Sequence, residues 1–474
     1  GEPGRSSGMS GRAFVDREDY LDELFARYDR STADLLVIYG RRRIGKSALV
    51  RQSIDGRNDT VYWQATQETA EAQLSNFVDA AADVFPAIQD TRRDWEALLR
   101  FLGDRDAIVV IDDFPYLVES DDTVQSKFQR VWDTHLEETG LSLVLVGSSI
   151  SVMEEKVLAG GSPLYGRRTH VIDLPPLTPG DAAAFYPADD PDGILRSWAV
   201  FGGTPYYLQA INQSRSLAEN IQSLVLSEHG LLYNEPEFLL RSELGIREPR
   251  TYYTLLRAMA RGRRETSEIA GFAGLDTHNI GSYLTKLRRL RLVERDIPVT
   301  ADPNSTRKSR YRLSEPLFTF WFRFVYGQQD RLAQLGDAAY EQLVEPEFSA
   351  YMGNRFEIAA QRALPRLVER SYLGVGYWWH AHHEVDVVGL ADDGTLVAGE
   401  CKYTTESMTA GDLQSLEASA REIRWTPPEG SEPTMIYCCF SRSGYSDDLI
   451  DAATDRADVH LFDVADVVDG LTTH

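Results

Sequence analysis

The sequence predicts an α/β chain of several domains, with a parallel sheet first, a helical and basic middle, and a second, smaller α/β unit last. Three observations predict it. A glycine loop ending in Lys-Ser lies between an apolar strand run and a helix opening at 34–53. The charge reverses sign between Arg241 and Leu313. An alternating strand, a glycine turn and a returning strand carry acidic residues between Glu384 and Tyr403. At 474 residues the length suits roughly three or four domains, and 43% hydrophobic residues supply their cores.

The first ten residues, Gly1 to Ser10, read as a flexible tail, with the stretch before Met9 resembling an expression scar. Phe14-Val15-Asp16-Arg17-Glu18 is a short strand or turn ahead of a helix over Tyr20–Tyr28. Asp34–Tyr39 is an apolar, β-branched run of strand length. It runs into Gly40-Arg41-Arg42-Arg43-Ile44-Gly45-Lys46-Ser47, which satisfies the P-loop pattern G-x-x-x-x-G-K-[ST]. A helix opening, Ala48–Ser53, follows. Strand, glycine loop and helix is the order the chemistry needs. Loop N–H groups and the helix N-terminus point at the phosphates of ATP, Lys46 reaches the β/γ-phosphates, and the Ser47 hydroxyl takes a place on Mg²⁺.

Thr60–Gln64 is a second buried strand and Ala107–Asp113 a third with an abrupt acidic end. In this setting Asp112 is the metal-side carboxylate, and Asp113 orients or deprotonates the attacking water. A buried strand running into a solvated turn is the plainer alternative. Leu141–Ser149 is a fourth strand. Ser148 would touch the γ-phosphate or the water, or Ser148 and Ser149 serve as a helix N-cap. Arg167 and Arg168 either aim a cation at the γ-phosphate, in cis or from a neighbouring copy, or form a solvated pair in a loop.

These segments, F-V-D-R-E, G-R-R-R-I-G-K-S, D-D-F-P-Y-L and S-P-L-Y-G-R-R, with Gly202-Gly203-Thr204-Pro205-Tyr206-Tyr207-Leu208, resemble the archaeal-type ATPase family. That family belongs to the AAA+-related, signal-transducing (STAND) P-loop ATPases. The resemblance implies that Arg17 and Glu18 lie near the adenine side, and that the segment with Pro205 sits in a helical lid and senses nucleotide. Relatives commonly carry Asp-Glu where this chain has Asp112-Asp113, and the shorter side chain favours slow, switch-like turnover.

From Thr178 to Ile246 apolar residues recur at helical spacing over Asp181–Tyr186, Asp192–Phe201 and Leu217–Ser227, which predicts a small lid. Arg241–Leu313 then carries sixteen Arg or Lys against eight Asp or Glu, in a chain whose net charge is −24. Helices are expected at Tyr252–Ala260, Ser267–Gly274 and Thr277–Leu290, and a hairpin at Leu292–Ile297 and Arg310–Leu313. That order fits a winged helix-turn-helix. Lys286, Arg288 and Arg289 on the third helix, with Arg307 and Lys308 at the hairpin tip, are the candidate DNA contacts. Docking or autoinhibition is the alternative use of such a module.

An aromatic-rich helix, Leu317–Val325, reads as core, and Phe348–Leu364 is a further helix carrying Glu357. Glu384–Leu390 alternates like a half-buried strand, Ala391–Gly394 is turn material, and Thr395–Tyr403 returns. The short loop brings Asp386 opposite, or nearly opposite, Glu400, and a period of two puts Lys402 on the face of Glu400. Two carboxylates can hold Mg²⁺ or Mn²⁺, which activates water and offsets phosphate charge, while Lys402 steadies the nucleophile or the transition state. The bland counterpart is an exposed polar hairpin with a chance salt bridge. D-V-V…G-E-C-K resembles the PD-(D/E)XK nuclease fold, in which an upstream helical Glu, here Glu357, often completes the metal site. The proline usual before the Asp is absent, as in many relatives that carry E-V-D. His380, His382 and His383 read as structural or surface residues.

The expected organisation is a tail at 1–10, a P-loop NTPase core with a parallel sheet at 11–180, and a helical lid at 181–245. A winged helix-turn-helix at 246–315, a helical linker at 316–347 and a PD-(D/E)XK nuclease-like α/β domain at 348–474 complete it. No run of 18 apolar residues and no signal peptide stands in the sequence, and the three cysteines lack zinc or disulfide spacing, so a cytoplasmic protein without a membrane partner is expected. ATP and DNA are the expected partners. The function expected is an ATP-binding and hydrolysing switch that binds DNA and cuts it with a metal-dependent nuclease domain. The alternatives are a regulator with an inactive nuclease fold, or a STAND-like sensor that assembles into a homo-oligomer on ATP.

Overall fold

The computed structural model describes residues 17–244 and 249–472. The tail, the Phe14-Val15-Asp16 part of the N-terminal motif and the expected boundary at 245/246 lie outside the described residues. The chain forms two compact units, one reaching to Pro176 and including Thr204–Gln209, the other comprising Leu177–Gly203 and Ala210 onwards. Among the described residues no helix is long and apolar enough to cross a membrane.

The first unit is built on a parallel sheet in the order β2-β3-β4-β1-β5, with β1 at Asp34–Tyr39, β2 at Thr60–Gln64, β3 at Ile108–Asp112, β4 at Ser142–Gly147 and β5 at His170–Asp173. Every residue of β1, β3 and β4 is buried, as expected of parallel strands covered by helices on both faces. The period of two divides β1 between two cores. Leu35 and Val37 pack with Trp63, Phe77, Trp95 and Phe114, whereas Leu36 and Ile38 pack with Leu24, Leu49, Val50 and Val146. With both faces filled, the C-terminal strand ends are where loops can meet a ligand. β5 was not expected: it is four residues long, polar at both ends, and earns its place by pairing with β1 from Leu36↔His170 to Tyr39↔Asp173.

The second unit holds a mixed sheet in the order β12-β11-β10-β9-β8. Its strands are β8 (Tyr372–His380), β9 (His383–Ala391), β10 (Thr395–Lys402), β11 (Thr434–Ser441) and β12 (Val459–Phe462); a separate antiparallel pair is β6 (Val293–Asp296) and β7 (Arg310–Leu313). β10, β11 and β12 run parallel, while β9 is antiparallel to β10 and to β8. The helix Glu345–Leu367 packs on β8, β9 and β10. The aromatic helix Pro316–Phe324 is core, with Leu317, Phe318, Phe320, Trp321 and Phe322 almost wholly buried and the Trp321 indole donating to the Tyr233 carbonyl at 2.6 Å.

Ahead of β6 run the helices Arg250–Ala260, Thr266–Ala273 and Gly281–Arg289. The expected single helix from Thr277 to Leu290 is broken: Thr277–Asn279 is a 3₁₀ turn, and Ile280 turns fully into the core before the helix starts at Gly281. Asn and Gly are weak helix formers, so burying Ile280 decides the break. The loop joining β6 to β7 is not a free tip. Arg295 donates to the carbonyls of Pro303 and Thr306, Val299 N–H bonds the Tyr377 carbonyl at 2.8 Å, and the Lys308 ammonium donates to His380 Nδ1 at 2.9 Å. The loop is thus tied along β8, with Lys308 an exposed residue on it.

One turn in this unit tolerates no side chain. Leu177 N–H donates to the Gly203 carbonyl at 2.8 Å, and a Cβ on Gly203 would stand 2.0 Å from the Leu177 oxygen. Gly203→Ala is therefore expected to lower stability by about 2 kcal/mol or more, read as a reduced urea midpoint; an unchanged midpoint would mean that the turn relaxes freely.

Candidate functional site

Two clusters of chemistry emerge, one in each unit. In the first, the loop after β1 turns into the helix Lys46–Ile54 through Gly45, whose φ of 95° is in the left-handed region that favours glycine. Arg43 also has positive φ, 71°, and its guanidinium lies 4.0 Å from the Tyr206 ring centroid. Lys46 is buried, and its Nζ donates to the carbonyls of Gly40 and Arg41, each at 2.8 Å. Ser47 sits in the first turn of the helix, half-buried, and Ile44 is fully buried. Arg42 donates to the Tyr116 hydroxyl at 3.3 Å and Arg41 to Thr204 Oγ1 at 3.2 Å.

Arg17 is buried under the loop, donating to the Pro175 carbonyl at 2.7 Å and to that of Ile44 at 3.3 Å. Burial lowers its pKa. Pro205, at the start of the short helix Pro205–Ala210, lies 3.8 Å from where a Cβ on Gly45 would be. The Gly-Gly-Thr-Pro segment thus splits: Thr204–Gln209 clusters with the phosphate-loop unit, and Gly202 and Gly203 do not.

Asp112 ends β3 with 2% exposure. Its Oδ1 accepts Asp113 N–H at 2.8 Å, and its Oδ2 accepts the Tyr62 hydroxyl. Asp113 is left-handed at φ 50°, and its Oδ2 accepts Gln64 Nε2 at 2.7 Å. β4 lies between β3 and β1, so Ser148, one residue past β4, emerges between the Asp112 strand and the glycine-loop strand. Ser149 is an N-cap residue whose side chain makes no capping bond. Arg167 is engaged by Asp133 (2.9 and 3.1 Å), and Arg168 donates to the Leu158 carbonyl at 2.8 Å. Both arginines are half-buried and have partners within the first unit. Tyr62 and Gln64, which brace the two aspartates, were not singled out from the sequence, although both stand on the expected second strand. Tyr62→Phe leaves a buried Asp112 oxygen without its donor and is expected to cost roughly 1–2 kcal/mol. Chemical denaturation of the pair of proteins checks it, and equal stability would count against the bond.

In the second unit the ladder pairs Gly399 with Val387, and the next step sets Glu400 beside Asp386, whose Oδ2 accepts Cys401 N–H at 3.0 Å. Glu357 arrives from the helix Glu345–Leu367, its Oε2 accepting the Tyr377 hydroxyl at 2.9 Å and Asn354 Nδ2 at 3.4 Å. Four residues on, Gln361 Nε2 donates to the Asp386 carbonyl at 2.7 Å, tying that helix to β9. Burial, then the charges of Glu357 and Glu400, pushes the Asp386 carboxyl well above its usual range. Burial, then Glu357, Asp412 and Glu384, pushes Glu400 up to about 7, with Lys402 pulling the other way. Burial likewise raises Glu357. Three mutually repelling carboxylates therefore share one partly dry site, while Lys402 stands 3.7 Å from Asp412 and 4.0 Å from Glu406.

Among the described residues no three His, Cys, Asp or Glu side chains form a ready-made cage for an ion. Mg²⁺ rarely needs one, since one or two carboxylates, waters and substrate phosphates suffice, and the all-oxygen donor set here is the kind it takes. Asp386 and Glu400 fit that role, with Glu357 beside them.

Two residues of this site were missed. Glu384 stands two positions before Asp386, on the same face of β9, and period two would have shown it. Arg264, 120 residues away, had no local signal. It pairs with Glu384 at 3.4 Å, as Arg310 does at 3.1 Å, and the carboxylates of Glu384, Glu357 and Asp386 raise its pKa against the lowering effect of burial. Lys286, Arg288 and Arg289 lie on the helix Gly281–Arg289, with Arg288 and Arg289 exposed. Arg307 is an exposed residue of the tied loop. Cys438 and Cys439 are buried strand residues, and all three cysteines are free.

Comparison with known proteins bears on both units. A family model described as an ATPase domain predominantly from Archaea matches residues 14–211. A second, described as archaeal and bacterial proteins of unknown function, matches residues 321–419. An uncharacterized protein of Methanocaldococcus jannaschii, MJECL04, is 33% identical over 386 residues, covering 80% of this chain and 85% of that one. A second protein of that organism, the uncharacterized ATP-binding protein MJ0423, is 34% identical over 44 residues, 9% of this chain and 75% of its own. Among solved structures, the Walker-type ATPase PABY2304 of Pyrococcus abyssi is 19% identical with a TM-score of 0.48, covering 65% of this chain and 96% of that one.

Proposed function

Because this chain belongs to the archaeal-type P-loop ATPase family, we propose that it is an ATP-switched protein that binds DNA and hydrolyses its phosphodiester bonds with a C-terminal, metal-dependent nuclease site. On this reading the β/γ-phosphates of ATP take Lys46 from the carbonyls of Gly40 and Arg41. Ser47 and Asp112 hold Mg²⁺, Asp113 orients water, and Ser148 faces the γ-phosphate from between the two strands. Thr204–Gln209, resting on the loop arginines, is placed to feel that exchange.

The three helices and the β6–β7 pair serve as a winged helix-turn-helix, with Lys286, Arg288, Arg289 and Arg307 meeting phosphates. The nuclease reading is carried by one observation: Asp386 and Glu400 stand side by side on β9 and β10, with Glu357 raised against them and Lys402 lowering the Glu400 pKa. A bound Mg²⁺ or Mn²⁺ supplies a more acidic water and offsets phosphate charge. Asp386 and Glu400 would hold it, and Lys402 would steady the incoming oxygen. Such a site fits the PD-(D/E)XK arrangement, in which a helix packs against a hairpin within a mixed sheet.

The test is cleavage of plasmid, linear and branched DNA with Mg²⁺ or Mn²⁺, with and without ATP, against an EDTA control. Metal-dependent cutting is expected. No cutting by a protein that still binds DNA would replace this reading with that of a DNA-binding regulator.

A further inference from the structure

The second unit contains a cavity of about 390 Å³ that opens beside Glu357 and is lined by Arg261, Arg264, Arg312, Arg323 and Arg355. Five guanidinium groups meet one carboxylate there, in a chain whose net charge is −24. Arg261 and Arg323 also line a neighbouring cavity of about 380 Å³ that continues to Arg331. The five come from four places: the turn after the helix Arg250–Ala260, the strand β7, the aromatic helix Pro316–Phe324, and the helix that carries Glu357.

Arg264 pairs with Glu384, Arg312 with Glu294 and Asp296, and Arg323 with Glu347, which leaves Arg261 and Arg355 without a carboxylate among the described residues. Arg355 is only 3% exposed, and its guanidinium donates to the Leu313 carbonyl at 3.1 Å and to Asn354 Oδ1 at 3.2 Å. Among the described residues no carboxylate is in ion-pair range of Arg355 or of Arg261, and Arg323 has only Glu347, at 3.4 Å. Burial, then the neighbouring charges of Arg257, Arg323 and Arg263, holds Arg261 below its ordinary pKa. Arg261 is exposed at the cavity, whereas Arg355 is a buried cation without a countercharge, which is destabilising in a chain with 73 Asp and Glu to draw on. Two cations without carboxylates, on one cavity with three more arginines, leave room there for an anion from outside.

We propose that this arginine-lined channel binds the sugar-phosphate backbone of a single DNA strand and leads it to the carboxylates at Glu357, Asp386 and Glu400. Guanidinium groups suit that ligand because their planar fork matches phosphate oxygens bidentately. Two adjoining cavities that share Arg261 and Arg323, of about 390 and 380 Å³, set the arginines in succession, as the successive phosphates of one strand need. Arg264, at the carboxylate end, is positioned to take the phosphate next to the one being cut and to give up Glu384 in exchange. The assignment rests on the nuclease reading for its direction along the strand and on the arginine geometry for the binding itself.

The test is fluorescence anisotropy of a 5′-labelled single-stranded oligodeoxynucleotide in EDTA, in a Glu400→Gln background in which nothing is cut. Arg261→Ala with Arg323→Ala is expected to weaken binding at least about tenfold, and to flatten the plot of log affinity against log salt by roughly 0.7 per lost phosphate contact. Arg261→Lys with Arg323→Lys should recover part of the loss, whereas Arg100→Ala with Arg105→Ala, two exposed arginines of the other unit, should not reproduce it. Unaltered affinity and slope in the double alanine variant would overturn the channel, whatever the cleavage assay shows. So would absence of strand binding by the parent protein, or displacement of the strand by ATP in a Lys46→Ala background, which would make the cavity a mononucleotide site. Strand binding lost with the arginines in a protein that cuts nothing would uphold the channel and sink the nuclease reading alone.

Discussion

Glu400→Gln is expected to cut metal-dependent DNA cleavage by on the order of 10²–10³-fold or more. The proposed metal contributes several kcal/mol of charge stabilisation at the reacting phosphate, and each 1.36 kcal/mol is a factor of ten in rate. Glutamine keeps the shape of the side chain but withdraws the negative charge that attracts the cation. The fold should not suffer. Glu400 is pushed up to about 7 by burial and by Glu357, Asp412 and Glu384, so the folded state holds its proton more tightly than the unfolded chain does. Without metal, wild-type stability therefore falls as pH rises from about 4.5 to 7, and the glutamine variant should show a shallower fall. Cleavage rates with Mg²⁺, together with urea midpoints across that range in EDTA, check both halves. Wild-type cleavage by Glu400→Gln would remove Glu400 from the site. A less stable variant at pH 8 would mean that the cluster is already neutralised by its surroundings.

Lys46→Ala is the second large effect, expected to weaken ATP binding by roughly 10–100-fold, because hydrogen bonds from a charged group are worth about 1.5–3 kcal/mol each. Hydrolysis should fall further, since in phosphoryl transfer positioning and charge stabilisation are nearly the whole of catalysis. The structure adds a point about the folded protein. Lys46 is 5% exposed and bridges two carbonyls of its own loop, so alanine also removes what closes that loop in the absence of phosphate. Calorimetric titration with ATP·Mg²⁺ and a phosphate-release assay measure the two effects. Retained affinity would shift phosphate recognition to the arginines of the loop. Loss of DNA cleavage in the same variant would tie the nuclease to the ATP state.

The parallel sheet was legible because its strands advertise themselves. Leu35–Tyr39, Ile108–Ile111 and Leu143–Val146 are unbroken apolar runs that end in a glycine or an aspartate, which is how strands buried on both faces read. His170–Asp173 is an edge strand with one apolar pair, and only its ladder to β1 defines it. The Asp386–Glu400 pairing was legible because a short turn fixes register. Arg264 and Tyr377 were not, since they approach the carboxylates from elements distant in sequence, and no local periodicity records that. The ties of the β6–β7 loop were not legible for a similar reason: His380 and the Tyr377 carbonyl, which hold Lys308 and Val299, come from β8.

The six residues Thr204–Gln209 have a consequence for anyone dividing the gene. They belong to the phosphate-loop unit, yet the chain on either side of them belongs to the other. A fragment stopping at Pro176 would thus lack Thr204 on Arg41, Tyr206 under Arg43 and Pro205 beside Gly45, exposing one wall of the loop. Its complement would carry those residues with nothing to rest on. Neither piece is a natural module, and a split at that point should rescue activity only when the two fragments are expressed together.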